Sequence, residues 1–209
     1  MIEKLACKLG RHDEIPNIEL AEYLCQQKDA AGINEIVDGL KGDDKATAND
    51  CIKVLYEIGS RNPELISEYA NDFISFLHSK NNRLAWGSMT ALAAIAEHAS
   101  ETIFGKLHLI LSAYERGSVI TVDNSISVFA KLCKADKSYA ETVVPIIIRH
   151  LQKCKPKEVA QHAERASVCF SSNNANEFIE VLENRLSYLT PPQQNRINKL
   201  LRKLRSLQQ

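Results

Sequence analysis

The sequence predicts an all-α fold: a right-handed α-α superhelix, or solenoid, of helical hairpins with a period of about 37 residues. Three observations predict this fold. Apolar or small residues recur every 37 positions through most of the chain. Within each repeat, the apolar residues follow the spacing of a helix rather than that of a strand. The 209 residues include 8 Gly and 6 Pro, which leaves little sequence for long loops. We expect a single domain spanning residues 1–209.

The repeat is visible as columns of equivalent residues, each 37 positions apart. One column is apolar or aromatic throughout, and two others are apolar or small. Their members are Leu40, Leu77, Tyr114 and Leu151; Leu55, Leu92, Phe129 and Ala166; and Ile58, Ile95, Leu132 and Cys169.

Each unit is predicted to contain two helices, with units starting near residues 44, 81, 118 and 155. In the first full unit, the stripes of the two helices are Ala48, Ile52, Leu55, Ile58 and Gly59, and then Ile66, Ala70, Phe73, Ile74 and Leu77. Pro63 and Pro156 fall where helices should begin, a position at which the missing N–H costs nothing. A helical hairpin cannot bury such stripes alone, so we expect successive units to stack.

The ends of the chain complete the predicted array. Residues 1–10 are predicted to form an additional helix, and residues 18–25 and 33–40 the two helices of a hairpin that precedes the first clear unit. Residues 191–209 are predicted to form a basic capping helix, whose apolar stripe comprises Ile197, Leu200, Leu201, Leu204 and Leu207.

The uncharged stretch LAWGSMTALAAIA, residues 84–96, is predicted to be the first helix of one unit. It is shorter than the roughly 18 residues that a membrane span requires, so we expect no membrane association. Its small residues allow neighbouring helices to approach closely. With its continuation, the run TALAAIAEHA resembles the end of the first helix in HEAT repeats. The chain is therefore similar to the HEAT/armadillo superfamily over about residues 15–189, and the resemblance implies a scaffold that binds a partner protein.

The charge is distributed unevenly along the chain. Residues 1–104 contain 10 Lys and Arg against 17 Asp and Glu, whereas residues 105–209 contain 16 against 9. Basic residues concentrate near residue 153 and in the final helix, where they could bind a polyanion or an acidic partner. These candidate site residues are Arg149, Lys153, Lys155, Lys157, Arg196, Lys199, Arg202, Lys203 and Arg205.

No catalytic or cofactor-binding motif is present in the sequence, and we expect no enzyme, cofactor or metal site. The six histidines are dispersed and the six cysteines form no CxxC pair, which predicts buried free thiols in a cytoplasmic protein. His162 shares a column with Cys51 and is predicted to be a partly buried residue of a helix face. Trp86 and Asp123 share another column and could form the aromatic–carboxylate pair of HEAT-like alkylpurine DNA glycosylases.

Two function classes therefore remain open. The first is a non-enzymatic protein-binding scaffold that presents a helical-repeat surface. The alternative is a nucleic-acid-binding protein that uses the basic C-terminal half, including a glycosylase-like activity. An exposed apolar or acidic groove would favour the scaffold, whereas a continuous cationic stripe with exposed aromatic residues would favour nucleic acid. An aromatic content of 6% offers few stacking platforms for single strands.

Overall fold

The computed structural model describes residues 1–206, and in this range the chain is all-α, with no strand. The α-helices among these residues are α1 (Ile15–Gln27), α2 (Ala30–Gly39), α3 (Lys45–Arg61), α4 (Ala70–Phe76), α5 (Asn82–Ile95), α6 (Ser100–Gly105), α7 (Leu107–Arg116), α8 (Val119–Ala135), α9 (Ala140–Lys153), α10 (Pro156–Ala166), α11 (Ala175–Arg185) and α12 (Pro191–Ser206). Over the part of the chain so described, no helix combines the length and apolar character needed to cross a membrane.

The chain forms two compact units, Met1–Ser125 and Ile126–Gln209, and the boundary falls within α8. In the first unit, α3 packs against α1, α2 and α5, and α4 packs against α5. In the second unit, α9 packs against α10 and α11, while α12 packs against α10 and α11.

The apolar stripes predicted for α3 and for the following segment form the core of the first unit. All ten of these residues are buried, from Ala48 through Leu77. The small residues of residues 84–96 permit close helix packing, because a Cβ atom at Gly87 would lie 2.7 Å from Cγ1 of Ile52. The two helices therefore approach at a point where a larger side chain would clash.

Polar side chains define where the first helices begin. Asp44 and Asn81 are N-caps, and their side chains accept hydrogen bonds from the backbone N–H groups of Ala46 and Arg83. The Asn81 amide also donates to Oδ1 of Asn49 at 2.8 Å, which links α5 to α3. Each cap satisfies a backbone donor that has no partner within its helix.

The predicted second helices are less regular than the first. Pro63 begins a 3-10 helix, Pro63–Tyr69, which leads into α4, and the next second helix is divided into α6 and α7. Pro156, in contrast, is the first residue of α10, as predicted.

The predicted helix over residues 1–10 is wrong: the 3-10 helix Ile2–Lys4 and a series of turns form there. Side-chain oxygens accept hydrogen bonds from backbone N–H groups that would donate to carbonyl oxygens within an α-helix. Asn17 Oδ1 accepts from the N–H of Ala6 at 3.0 Å, and Asp50 Oδ2 accepts from the N–H of Cys7 at 2.8 Å. Gly10 follows with a φ of +67°, a conformation that favours glycine.

The core of the second unit contains both aromatic rings and thiols. Phe178 is fully buried and stacks on Phe170 with ring centroids 3.9 Å apart. Cys133 and Cys169 are buried, as their columns predicted. Hydrogen bonding between these two thiols, together with burial, raises the pKa of Cys169. Ile197, Leu200, Leu201 and Leu204 of α12 are buried as predicted, and Leu207 lies outside the described residues.

Candidate functional site

An apolar groove lies at the N-terminal end of the first unit. We call it the N-terminal groove; it has a volume of about 260 Å³ and is lined by Lys4, Leu9, Pro16, Glu19, Leu20 and Tyr23. Leu9 and Tyr23 are large apolar or aromatic residues, yet 54% and 42% of their surfaces are exposed. Exposed apolar residues gathered around a concavity are typical of a binding surface.

Two neighbouring elements build this groove. Pro16, Leu20 and Tyr23 follow one another at intervals of four and three residues in α1, so they lie on one helix face. Leu9 comes from the turns that replace the predicted helix, and the side chains of Asn17 and Asp50 hold those turns in place. The Lys4 ammonium lies 4.6 Å from the centroid of the Tyr23 ring, a cation–π contact that orders the rim.

A network of charged side chains links α1, α3 and α5 in the same unit. The Lys53 ammonium is buried and lies 2.9 Å from Oε2 of Glu14 and 2.8 Å from Oε1 of Glu57. Arg83 also pairs with Glu14, and Arg61 pairs with Glu57. Burial disfavours the two carboxylates, but hydrogen bonds from these cations outweigh it, and the pKa values of Glu14 and Glu57 fall below their usual range.

Trp86 lies beside this network rather than in an open aromatic cage. Its ring centroid is 5.9 Å from that of Tyr56, and the Arg83 guanidinium carbon lies 5.9 Å from the Trp86 centroid. Trp86 and Asp123 are both half-buried residues of the first unit, on α5 and α8. The tryptophan surface is thus shared with a tyrosine and a protein cation.

All nine predicted basic site residues are exposed in the second unit. They lie on α9, on or just before α10, and on α12. Two of them are engaged by acids: the Arg196 Nε and Nη2 atoms lie 2.9 Å and 2.5 Å from the Glu164 carboxylate oxygens, and Arg205 pairs with Glu183. That the nine cations form one polyanion-binding patch stays a prediction.

Three residues that could hold a metal ion meet in the second unit. The ring nitrogens of His150 and His162 and the sulfur of Cys154 all lie within 4.8 Å of one another. Both histidines are buried, and burial raises the pKa of the Cys154 thiol to about 11, although the charge of Arg185 opposes this. The expectation that histidines and cysteines are nowhere grouped is therefore wrong here. The sequence feature that could have predicted this cluster is the spacing of four residues between His150 and Cys154, with His162 on the next predicted helix.

Comparison with known proteins supports the fold and gives no family. No protein-family model matches the chain, and no curated protein matches its sequence. Three crystal structures, each described as an engineered protein of the Northeast Structural Genomics Consortium, are similar in structure. One is 18% identical with a TM-score of 0.72, and the match covers 98% of this chain and 96% of that chain.

The other two structures are likewise similar in fold and low in sequence identity. The second is 15% identical with a TM-score of 0.70, and the match covers 92% of this chain and 53% of that one. The third is 19% identical with a TM-score of 0.65, and the match covers 98% of both chains. At these identities the likeness concerns the fold alone.

Proposed function

We propose that this protein is a non-enzymatic scaffold that binds a partner protein, and that the N-terminal groove is one of its recognition sites. The observation that carries the proposal is the exposure of Leu9 and Tyr23 around an apolar concavity of about 260 Å³. An apolar side chain from a partner would displace water from this groove, which is the main source of affinity in protein interfaces.

The chemistry of the rim favours a protein as the occupant. Tyr23 combines a large contact area with a polar hydroxyl group, a combination that is enriched at interface hot spots. Lys4 and Glu19 line the same groove and can pair with charged or polar groups that flank the inserted side chain. The groove offers no cationic cluster of the kind that phosphate backbones require.

We further propose that the hairpins are HEAT/armadillo-like repeats that stack as a right-handed superhelix with a period of about 37 residues. Support comes from the first helices of four successive hairpins, which begin at Lys45, Asn82, Val119 and Pro156. In such repeats, equivalent helices present equivalent surface positions, which suits the recognition of an extended protein surface.

A comparison of two matched variants tests the proposed function. Leu9 and Val168 are each 54% exposed, but only Leu9 lines the N-terminal groove. Tagged full-length wild type, Leu9→Lys and Val168→Lys would each be used to recover partners from a nuclease-treated native lysate. We expect wild type and Val168→Lys to recover the same proteins and Leu9→Lys to lose them. Equal recovery by all three would contradict the proposal.

Nucleic acid binding is the alternative function, and the exposed cations of the second unit favour it. The ion pairs of Arg196 and Arg205 with acids reduce the positive charge available to phosphates. For a glycosylase activity, the Arg83 guanidinium beside Trp86 would repel a cationic alkylated base. We expect neither the wild type nor Asp123→Asn to release alkylated purines from DNA, and release by the wild type that is lost in the variant would establish the enzyme instead.

A further inference from the structure

A cluster of metal-ligating side chains lies where α9 ends and α10 begins, far along the chain from the N-terminal groove. His150 is in the last turn of α9, and Cys154 is the C-cap residue that follows this helix. Residues four apart lie on the same side of a helix, so the imidazole and the thiol point to the same region. His162 reaches it from α10, which packs against α9.

The two imidazoles face each other through nitrogen atoms that can act as ligands. Nε2 of His150 lies 2.8 Å from Nδ1 of His162, and both side chains are buried. With metal–nitrogen bonds of about 2.0–2.1 Å, two nitrogens in a tetrahedral site lie roughly 3.3 Å apart. Side-chain rotation that separates the two nitrogens by about half an ångström would therefore give the spacing of a shared ion. The Cys154 sulfur, which lies within 4.8 Å of both nitrogens, would then approach them to about 3.5 Å.

Hydrogen bonds hold the backbone that carries the third donor, the Cys154 sulfur, which itself contacts the Leu151 carbonyl oxygen at 3.9 Å. Arg185 of α11 donates hydrogen bonds to the carbonyl oxygens of Gln152 and Cys154 at 2.6 Å and 2.5 Å. The N–H of Cys154 donates to the carbonyl of His150 at 2.8 Å. These contacts hold the backbone of Cys154 at the end of α9, where its sulfur lies within 4.8 Å of both imidazole nitrogens.

We infer that His150, Cys154 and His162 form a three-ligand site for a divalent transition-metal ion, with Zn²⁺ as the best match. Two imidazoles and one thiolate make a borderline-soft donor set, which suits Zn²⁺ and disfavours Mg²⁺ and Ca²⁺. Three protein ligands leave one tetrahedral position for water or for a donor from a partner. Cys154 is partly exposed, so the site can be reached from solvent.

The protonation states of the three ligands determine how many protons are released when the metal ion binds. In the hydrogen-bonded pair, one of the two facing nitrogens carries the shared proton. On metal binding, that ring takes the tautomer with its proton on the outer nitrogen, so both rings coordinate as neutral imidazoles. The Cys154 thiol releases one proton to solvent, and the remaining ligand position takes up water.

Cobalt titration of the full-length protein tests this inference, because Co²⁺ replaces Zn²⁺ and reports its ligands by colour. After chelator treatment, we expect one Co²⁺ to bind per chain, with a thiolate-to-cobalt charge-transfer band and the intense visible bands of four-coordinate cobalt. Added Zn²⁺ should displace the cobalt and abolish both signals. Absence of these bands, with the far-UV circular dichroism of a folded helical protein, would overturn the inference and leave a buried histidine–histidine hydrogen bond.

Matched variants identify the ligands. Cys154→Ser should remove the charge-transfer band and weaken Co²⁺ binding by at least about 100-fold, because even residues behind the ligands contribute 10–100-fold. Cys25→Ser, which changes a partly exposed thiol of the first unit, should leave the spectrum and affinity unchanged. His162→Asn should lose the visible bands of the four-coordinate ion. An unchanged spectrum in Cys154→Ser, or its loss in Cys25→Ser, would place the ion elsewhere and refute the assignment.

Discussion

Replacing Lys53 by Met tests the charged network of the first unit. The Lys53 side chain is 8% exposed and pairs with both Glu14 and Glu57. Methionine keeps most of the apolar stem, so the variant removes chiefly the charge. Removing one partner of a fully buried ion pair costs about 3–5 kcal/mol, because the other charge stays buried.

The expected cost is smaller in this protein. The Glu14 side chain is 44% exposed, and each acid keeps a second cation, Arg83 for Glu14 and Arg61 for Glu57. Loss of the cation–π contact between Lys53 and Tyr56 adds a further fraction of a kcal/mol. We therefore expect Lys53→Met to lower the free energy of unfolding by about 1–3 kcal/mol at pH 7.

Urea unfolding followed by the fluorescence of Trp86, the one tryptophan of the chain, measures this change in the first unit. With a slope of about 2 kcal/mol per molar urea, the midpoint should fall by roughly 0.5–1.5 M. Lys45→Met, which alters an exposed lysine of the same helix, should change stability by less than about 0.5 kcal/mol.

The pH dependence provides a second test of the same network. The pKa values of Glu14 and Glu57 are lowered in the folded state, so the stability they contribute is present above the unfolded pKa of about 4.3. That stability is lost as the pH falls through the folded pKa values. The difference between wild type and Lys53→Met should therefore shrink between pH 7 and about pH 3. A variant as stable as wild type at pH 7, or a difference independent of pH, would refute this reasoning.

Three further predictions concern the helix caps, the thiols and the basic surface. Asn81→Ala should cost about 1–2 kcal/mol in the same urea titration, because it removes a helix cap and a hydrogen bond between helices. Cys133 and Cys169 should react slowly with a thiol reagent in the native protein; fast reaction would contradict their burial, and a native disulfide would contradict their assignment as free thiols. Polyanion binding should be weak and independent of sequence, on the order of 10⁻⁵ M or poorer near physiological salt. Charge reversal at Arg202 and Lys203 should reduce the dependence of that binding on salt without unfolding the chain, and tight binding at physiological salt would favour the nucleic acid alternative.

The helical stripes could be predicted from sequence because their information is local. Ala48, Ile52 and Leu55 recur at helical spacing, and all three are buried. The final helix was predictable for the same reason, as the burial of Leu200 and Leu204 confirms. Such patterns depend only on residues within one helix, and the structure buries the apolar residues that the helical spacing assigns to the core.

The candidate sites depend on contacts that local patterns do not encode. The N-terminal groove exists because Asn17 and Asp50 bind the backbone of Ala6 and Cys7 and thereby replace a helix by turns. The meeting of His150 with His162 depends on how α9 packs against α10, which spacing alone does not specify. The burial of Lys53 likewise requires an acid from outside its own helix, Glu14, the N-cap residue of α1.

A site-specific photo-crosslinking experiment tests the proposed protein-binding function most directly. Benzoylphenylalanine would replace either Tyr23 in the N-terminal groove or Tyr188, which is 70% exposed in the second unit, in the full-length protein inside cells. If the groove receives a partner protein, irradiation should produce discrete protein adducts from position 23 and background labelling from position 188. Equal labelling from both positions, or adducts to nucleic acid instead of protein, would contradict the proposed function.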